Sequence, residues 1–120
     1  MTKLAKVLIM LIRLIWLIEI GLGIWIASLS GLPYLHAHIG LGFTFALLLA
    51  VLSIIGVAKR KTGLAIGGLI FAVLLPVVGV KQFPLKFGSA LGLMQYLHVA
   101  IVLAGIGIAE ALHGKIRKTA

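Results

Sequence analysis

The chain contains four apolar stretches, each close to the roughly 20 residues that an α-helix needs to cross the hydrocarbon core of a bilayer. They cover about residues 7–27, 34–57, 64–80 and 89–112. Only 11% of the 120 residues are charged and 62% are hydrophobic, whereas a soluble globular domain is about 25% charged. The sequence therefore predicts an all-α integral membrane protein with one transmembrane domain, residues 1–120.

Three short polar connections separate the apolar stretches. Residues 28–33, Ser-Leu-Ser-Gly-Leu-Pro, predict a turn, since they combine serine, glycine and proline. Residues 59–61, Lys-Arg-Lys, form a charged turn that a hydrocarbon core would not accept. Residues 81–88 form the third connection. Four helices with connections this short favour an up-down-up-down bundle.

The basic residues are divided unevenly between the two sides of such a bundle. A net charge of +9 would indicate nucleic-acid binding in a soluble protein, but here the basic residues flank apolar stretches and report orientation. The side richer in Lys and Arg is the cytoplasmic one. We therefore expect a multi-pass protein of the inner (plasma) membrane, with both termini cytoplasmic and no nucleic-acid partner. Eight basic residues lie on that side (Lys3, Lys6, Lys59, Arg60, Lys61, Lys115, Arg117 and Lys118) and two on the other (Lys81 and Lys86).

The composition restricts the chemistry that the chain can perform. Cysteine is absent, which excludes disulfides, thiolate metal sites and cysteine nucleophiles. Glu19 and Glu110 are the only carboxylate side chains. No HExxH motif or phosphate-binding glycine loop is present. Any function must therefore depend on a few polar residues within the apolar stretches.

Histidines lie near the outer end of the predicted bundle. His36 and His38 differ by about 200° around a helix, so only one of them can face the bundle centre, and we expect it to be His38. His38 has Gly42 one turn later on its face, and His98 has Gly105 two turns later. Two imidazoles with glycines beneath them suit a planar macrocycle. This pattern predicts one haem b with His38 and His98 as its axial ligands.

Other interpretations of these polar residues remain open. The histidines can instead form hydrogen bonds between helices or lie at the membrane interface, which is the interpretation we favour for His36 and His113. Met94 is an alternative axial ligand, although methionine in an apolar helix usually serves packing. Lys81 and Lys86 lie near the outer rim, where they could hold haem propionates or simply extend to the headgroups.

Three charged residues interrupt the first and fourth stretches. Arg13 and Glu19 are about 120° apart on their helix and cannot form a good pair. Arg13 and Glu110 both lie in the inner half of the bundle, which predicts a salt bridge between helices. Glu19 is nearer the midplane, with no basic residue expected at its depth, and desolvation there favours its neutral form. We consider Glu19 the candidate proton acceptor in a quinol oxidation and Arg13 the second candidate catalytic residue.

Two short segments carry a resemblance to a known family. Residues 34–40, Tyr-Leu-His-Ala-His-Ile-Gly, and residues 95–98, Gln-Tyr-Leu-His, resemble the histidine segments of four-helix membrane b-type cytochromes, including bacterial superoxide-oxidase-type proteins. In that family a second haem uses a histidine of the first helix, where this chain has Arg13. The resemblance therefore implies one haem, near the outer face.

These observations support two functional hypotheses. In the first, the protein passes single electrons between an outer-face donor or acceptor and a quinone or membrane redox partner, as a quinone-linked oxidoreductase would. In the second, it is a cofactor-free accessory subunit or small transporter that acts as a homo-oligomer. In that case the glycines serve helix packing, and Glu19 with Arg13 marks a polar path or subunit contact.

Overall fold

The described part of the protein consists of four long helices. A computed structural model describes residues 2–27, 32–81 and 89–118, with overall dimensions of 48 × 22 × 16 Å. A short 3-10 turn at Leu32–Tyr34 leads into the second helix. The helices are α1 (Thr2–Ala27), α2 (Leu35–Ala58), α3 (Thr62–Lys81) and α4 (Ser89–Arg117).

Each helix is long and apolar enough to cross a membrane, as predicted. The bounds of α2 and α3 agree closely with the expected ones, but α1 begins several residues before residue 7 and α4 continues beyond residue 112. The apolar stretch marks only the part of a helix that lies in hydrocarbon. Lysine and arginine are good helix formers, so the helical hydrogen bonding continues into the headgroup region.

The four helices pack around a diagonal formed by α2 and α4. Helix α1 contacts α2 and α4, α3 contacts the same two helices, and α2 also contacts α4. Among the described residues α1 and α3 do not contact each other. Side chains of α2 and α4 therefore meet at the centre of the bundle. Its largest fully buried apolar residues are Ile9, Ile12, Leu49, Leu52, Leu112 and Ile116.

Glycines allow close helix contacts at one end of the bundle. A Cβ atom on Gly56 of α2 would lie 2.7 Å from Leu112 Cδ1 and 3.1 Å from Ala65 Cβ. A Cβ on Gly68 of α3 would overlap the Ser53 hydroxyl. Small residues of this kind let the backbones approach, and van der Waals packing then drives helix association in lipid.

The outward faces of the helices are apolar. Leu17, Leu47, Val73 and Tyr96 are each more than half exposed, and all four helices carry further exposed aliphatic residues. An apolar surface of this extent is unfavourable in water but is what lipid-facing helices present. The structure is thus that of a multi-pass membrane protein.

Candidate functional site

Three polar side chains from three helices meet inside the bundle. Glu19 of α1 places its Oε2 atom 3.0 Å from Nδ1 of His38 on α2, and the two side chains are only 12% and 21% exposed. The imidazole of His98 on α4 lies on the diagonal, with its ring centroid 6.3 Å from that of His38 and the rings at 82°. We refer to these residues as the Glu19–His38–His98 cluster.

His38 and His98 occupy equivalent places in the buried stripes of α2 and α4. In each helix, buried residues follow 7, 11 and 14 positions after the histidine, a spacing that returns to the same helix face. His36 is exposed, which confirms the prediction that His38 faces inward and His36 outward. The residues that follow His38 are Phe45, Leu49 and Leu52, and those that follow His98 are Gly105, Ala109 and Leu112.

The cluster contains polar atoms without hydrogen-bond partners. Glu19 Oε1 and His98 Nδ1 are buried and have none among the described residues. His38 Nδ1 and Glu19 Oε2 are within ion-pair distance, but the two groups are not aligned for a hydrogen bond. Buried polar atoms are nearly always paired in folded proteins. Unsatisfied atoms on two helices therefore mark the cluster as a candidate ligand site.

The contact between Glu19 and His38 was not anticipated from the sequence. No basic residue was expected at the depth of Glu19, and the structure places the imidazole of His38 beside its carboxyl group. The stacking of Trp25 on Tyr34, with ring centroids 4.7 Å apart, aligns the end of α1 with the start of α2. Glu19 is six residues before Trp25, and His38 is four residues after Tyr34. The two residues therefore differ in depth by only about 3 Å, which the glutamate side chain bridges.

Two glycines that the sequence reasoning did not identify border the imidazoles. A Cβ on Gly23 of α1 would lie 3.6 Å from His38 Cε1, and a Cβ on Gly79 of α3 would lie 3.3 Å from His98 Cε1. Each histidine thus lies against the backbone of a neighbouring helix. The sequence does place each glycine at about the depth of the histidine that it borders. That signal is usable only when it is known which helices are neighbours.

The two glycines predicted to lie beneath the imidazoles have other surroundings. A Cβ on Gly42 would lie 3.4 Å from Glu19 Oε2, so this glycine borders the carboxylate. Gly105 is buried in the apolar core, where a Cβ would lie 3.4 to 3.8 Å from side chains of Leu75, Phe45 and Leu49. At the level of Gly105, the space next to a flat ligand between His38 and His98 is therefore already filled by apolar side chains.

Arg13 and Glu110 form the predicted salt bridge between α1 and α4. Arg13 Nε donates to Glu110 Oε1 at 2.6 Å and Arg13 Nη2 donates to Glu110 Oε2 at 2.8 Å. Such a two-point contact between guanidinium and carboxylate is strong and directional. The side chains are 51% and 40% exposed, so the pair lies on the outer surface of the bundle. Arg13 is therefore engaged with Glu110.

Some predicted site residues lie outside the described part of the chain. Lys86 belongs to the segment 82–88, and the side chains of Lys81 and Met94 are likewise not described. Their roles as propionate partners or as an alternative ligand remain predictions.

Within the described residues, no group of three or more His, Cys, Asp or Glu side chains could hold a metal ion. A site built from protein ligands alone usually needs three or four of them, as in zinc proteins. Comparison of the chain with protein-family models, with curated proteins and with solved structures gave no match. Any functional conclusion must therefore come from the Glu19–His38–His98 cluster and its surroundings.

Proposed function

We propose that the protein is a membrane-embedded haem b protein in which His38 and His98 would hold one haem through their imidazoles. The separation of the two imidazoles carries this proposal. Bonds from a metal to imidazole nitrogen are about 2 Å, so two imidazoles that hold the same metal have ring centres within about 6 Å of each other. The centroids of His38 and His98 are 6.3 Å apart, and the ligands come from the two helices that meet at the bundle centre.

The set of donors also fits a haem better than an ion bound by protein alone. A porphyrin supplies four nitrogens itself, so the protein needs to add only two ligands. Glu19 lies beside Nδ1 of His38, which leaves Nε2 of that ring for a metal. A histidine that ligates a metal through one nitrogen usually presents the other to a carboxylate or carbonyl, which fixes the orientation of the ring.

The residues of this chain would position and enclose the group. When bound, a haem with two histidine ligands supplies a one-electron couple and transfers electrons without binding substrate at the metal. Glu19 orients His38, while Gly23 and Gly79 leave room for each imidazole against a neighbouring backbone. We propose that electrons pass between an outer-face donor or acceptor and a quinone or membrane redox partner. Glu19 remains the first residue to test for a role in quinol oxidation.

The orientation in the membrane belongs to the same proposal. We propose an up-down-up-down bundle in the inner (plasma) membrane with both termini cytoplasmic, on the basis of the uneven distribution of Lys and Arg. Gly56 near the end of α2 lies close to Ala65 near the start of α3 and to Leu112 near the end of α4. This closeness supports placing these three helix ends on the same side of the membrane.

The absence of native cysteine allows a clean test of this orientation. A membrane-impermeant maleimide should label a Ser30→Cys variant in intact spheroplasts. It should label a Thr119→Cys variant only after permeabilisation. The reverse result would overturn the orientation.

The absorption spectrum of the purified protein tests the haem proposal. We expect a Soret band and, on reduction, sharp alpha and beta bands. His38→Ala and His98→Ala should abolish haem binding, while His36→Ala and His113→Ala, which alter histidines outside the cluster, should largely preserve it. A colourless preparation from haem-sufficient cells would exclude the proposal. Loss of haem in the His36 variant with retention in the His38 variant would show that the wrong ligand was chosen.

The second candidate function is a cofactor-free accessory subunit or small transporter acting as a homo-oligomer. It is favoured by the contact between Glu19 and His38 and by the filled surroundings of Gly105, because polar contacts between helices also stabilise membrane bundles without any cofactor. In that case the preparation is colourless, and His38→Ala lowers the thermal stability of the protein.

A further inference from the structure

A groove opens between α1 and α4 beside the Arg13–Glu110 pair. Its volume is about 580 Å³. Lys6 and Arg13 of α1 line one wall, and Glu110, His113 and Arg117 of α4 line the other. The groove lies at the end of the bundle where α1 begins and α4 ends, and none of the residues of the Glu19–His38–His98 cluster lines it.

The groove carries more positive than negative charge. Lys6, Arg13 and Arg117 give three positive charges and Glu110 one negative charge, which leaves an excess of two before any contribution from His113. Glu110 is already held by both its oxygens on Arg13. The only other carboxylate side chain of the protein, Glu19, contacts His38. Within the lining of the groove, Lys6 and Arg117 therefore have no acidic side chain left to neutralise them.

The α1 wall of the groove is apolar between Lys6 and Arg13. Met10 lines the groove there and is largely exposed, whereas Ile9 beside it is buried in the core. A site that combines cationic groups with an exposed apolar wall is complementary to an amphipathic anion. Free phosphate would use the cationic groups but not the apolar wall, whereas a phospholipid would use both.

We propose that this groove binds the headgroup phosphate of an anionic phospholipid of the cytoplasmic leaflet. Lys6 and Arg117 contact the phosphate, and the Arg13–Glu110 pair forms the floor beneath it. Basic pockets between transmembrane helices on the cytoplasmic side are the usual sites for anionic headgroups. The proposal rests on the cytoplasmic orientation of the termini and is independent of haem binding.

Retention of defined lipids tests the proposal. The protein is purified in detergent, incubated with phosphatidylglycerol or phosphatidylcholine and analysed by native mass spectrometry. We expect retention of phosphatidylglycerol over phosphatidylcholine. The Lys6→Gln/Arg117→Gln variant should bind phosphatidylglycerol roughly tenfold more weakly, since each basic residue near an anionic headgroup contributes several-fold to affinity.

The matched control is Lys59→Gln/Lys61→Gln, which removes two charges from the turn between α2 and α3, outside the groove. This variant should retain phosphatidylglycerol like the unaltered protein. Equal retention by both double variants, or no preference for phosphatidylglycerol, would overturn the proposal. Inorganic phosphate forms a further arm, and thermal stabilisation by phosphate equal to that by phosphatidylglycerol would also overturn it, in favour of a free anion.

Neither double variant alters the Arg13–Glu110 pair or a buried residue, so both should fold. Circular dichroism and size-exclusion chromatography check this before lipid is added. A failed orientation test and a failed lipid test are separable, because cysteine labelling reports the first and mass spectrometry the second.

Discussion

The bundle contains two polar clusters that differ in burial and in chemistry. The Glu19–His38–His98 cluster joins α1, α2 and α4 through largely buried side chains and leaves polar atoms unpaired. The Arg13–Glu110 pair joins α1 and α4 on the surface, and the guanidinium satisfies both carboxylate oxygens. Both clusters lie in apolar helices, but among the described residues only the surface pair has all the oxygens of its carboxylate satisfied.

This difference indicates different roles. A polar group inside a membrane protein is costly unless it is paired, and Glu19 Oε1 and His98 Nδ1 have no hydrogen-bond partner among the described residues. The Arg13–Glu110 pair has both of its carboxylate oxygens bonded. Its long side chains can extend toward the headgroups, where it connects two helices and borders a lipid groove. The buried cluster is therefore where we place the proposed ligand, whereas the surface pair is satisfied by its own two side chains.

The largest effect is expected from filling the space beside His98. Gly79→Leu places a bulky side chain where even a Cβ would lie 3.3 Å from His98 Cε1. Overpacking of this kind typically costs about 1–3 kcal/mol and displaces the neighbouring side chain. We expect loss of most bound haem, measured from the Soret absorbance per mole of protein, together with a lower melting temperature.

Gly63→Leu is the matched control on the same helix, because a Cβ at Gly63 would meet nothing within 4 Å. It should leave haem content and melting temperature nearly unchanged. If both variants lose haem equally, packing against His98 is not what holds the ligand in place.

A smaller effect is expected when the carboxyl group beside His38 is replaced. Glu19→Gln keeps the shape of the side chain but puts an amide in place of the carboxyl group near His38 Nδ1. Loss of such a partner of a metal ligand typically lowers affinity about 10–100-fold. Haem titration of the apoprotein measures this directly. Glu110→Gln is the control, since it removes the other carboxylate of the chain, and it should leave haem affinity unchanged.

The architecture was largely predictable from the sequence because its signals are local. Four apolar stretches of membrane-spanning length indicate four helices, and the structure has them. Helical periodicity predicts that only one of His36 and His38 faces inward, and the greater depth of His38 on its helix selects it. The Arg13–Glu110 pair was also predictable, because the chain has few charged residues within its spans and these two fall in the same half of the bundle.

The surroundings of the histidines were less predictable because they depend on neighbouring helices. The vertical offset between α1 and α2 decides that Glu19 contacts His38, and the Trp25–Tyr34 stack joins the two helices at that offset. The position of Gly79 against His98 depends on how α3 packs beside α4. No periodicity within one helix contains this information.

The surface pair should give a moderate effect on stability and none on the cluster. Arg13→Gln or Glu110→Gln each leaves one charge unpaired within a membrane helix, so each should lower the melting temperature by a few degrees. The double variant should lose less than the sum of the two single variants, because residues in one ion pair are coupled. Circular dichroism melts in detergent give the four values. Additive losses would mean that the two residues do not stabilise each other.

The smallest effect is expected at Gly42, where the contact with Glu19 is only just within van der Waals range. Replacing a glycine inside a helix by alanine is favourable by about 0.5–1 kcal/mol when there is room for the Cβ. Gly40→Ala, with nothing within 4 Å of its Cβ, should show this gain in full. Gly42→Ala should show the same gain reduced by the cost of placing a Cβ 3.4 Å from Glu19 Oε2. We expect the free energies of unfolding of the two variants to differ by less than about 0.5 kcal/mol. Because the two glycines are two residues apart on α2, the difference between their melting curves isolates the contact with the carboxylate. A clearly larger loss at Gly42 would mean that Glu19 is held more rigidly beside His38 than its unpaired Oε1 indicates.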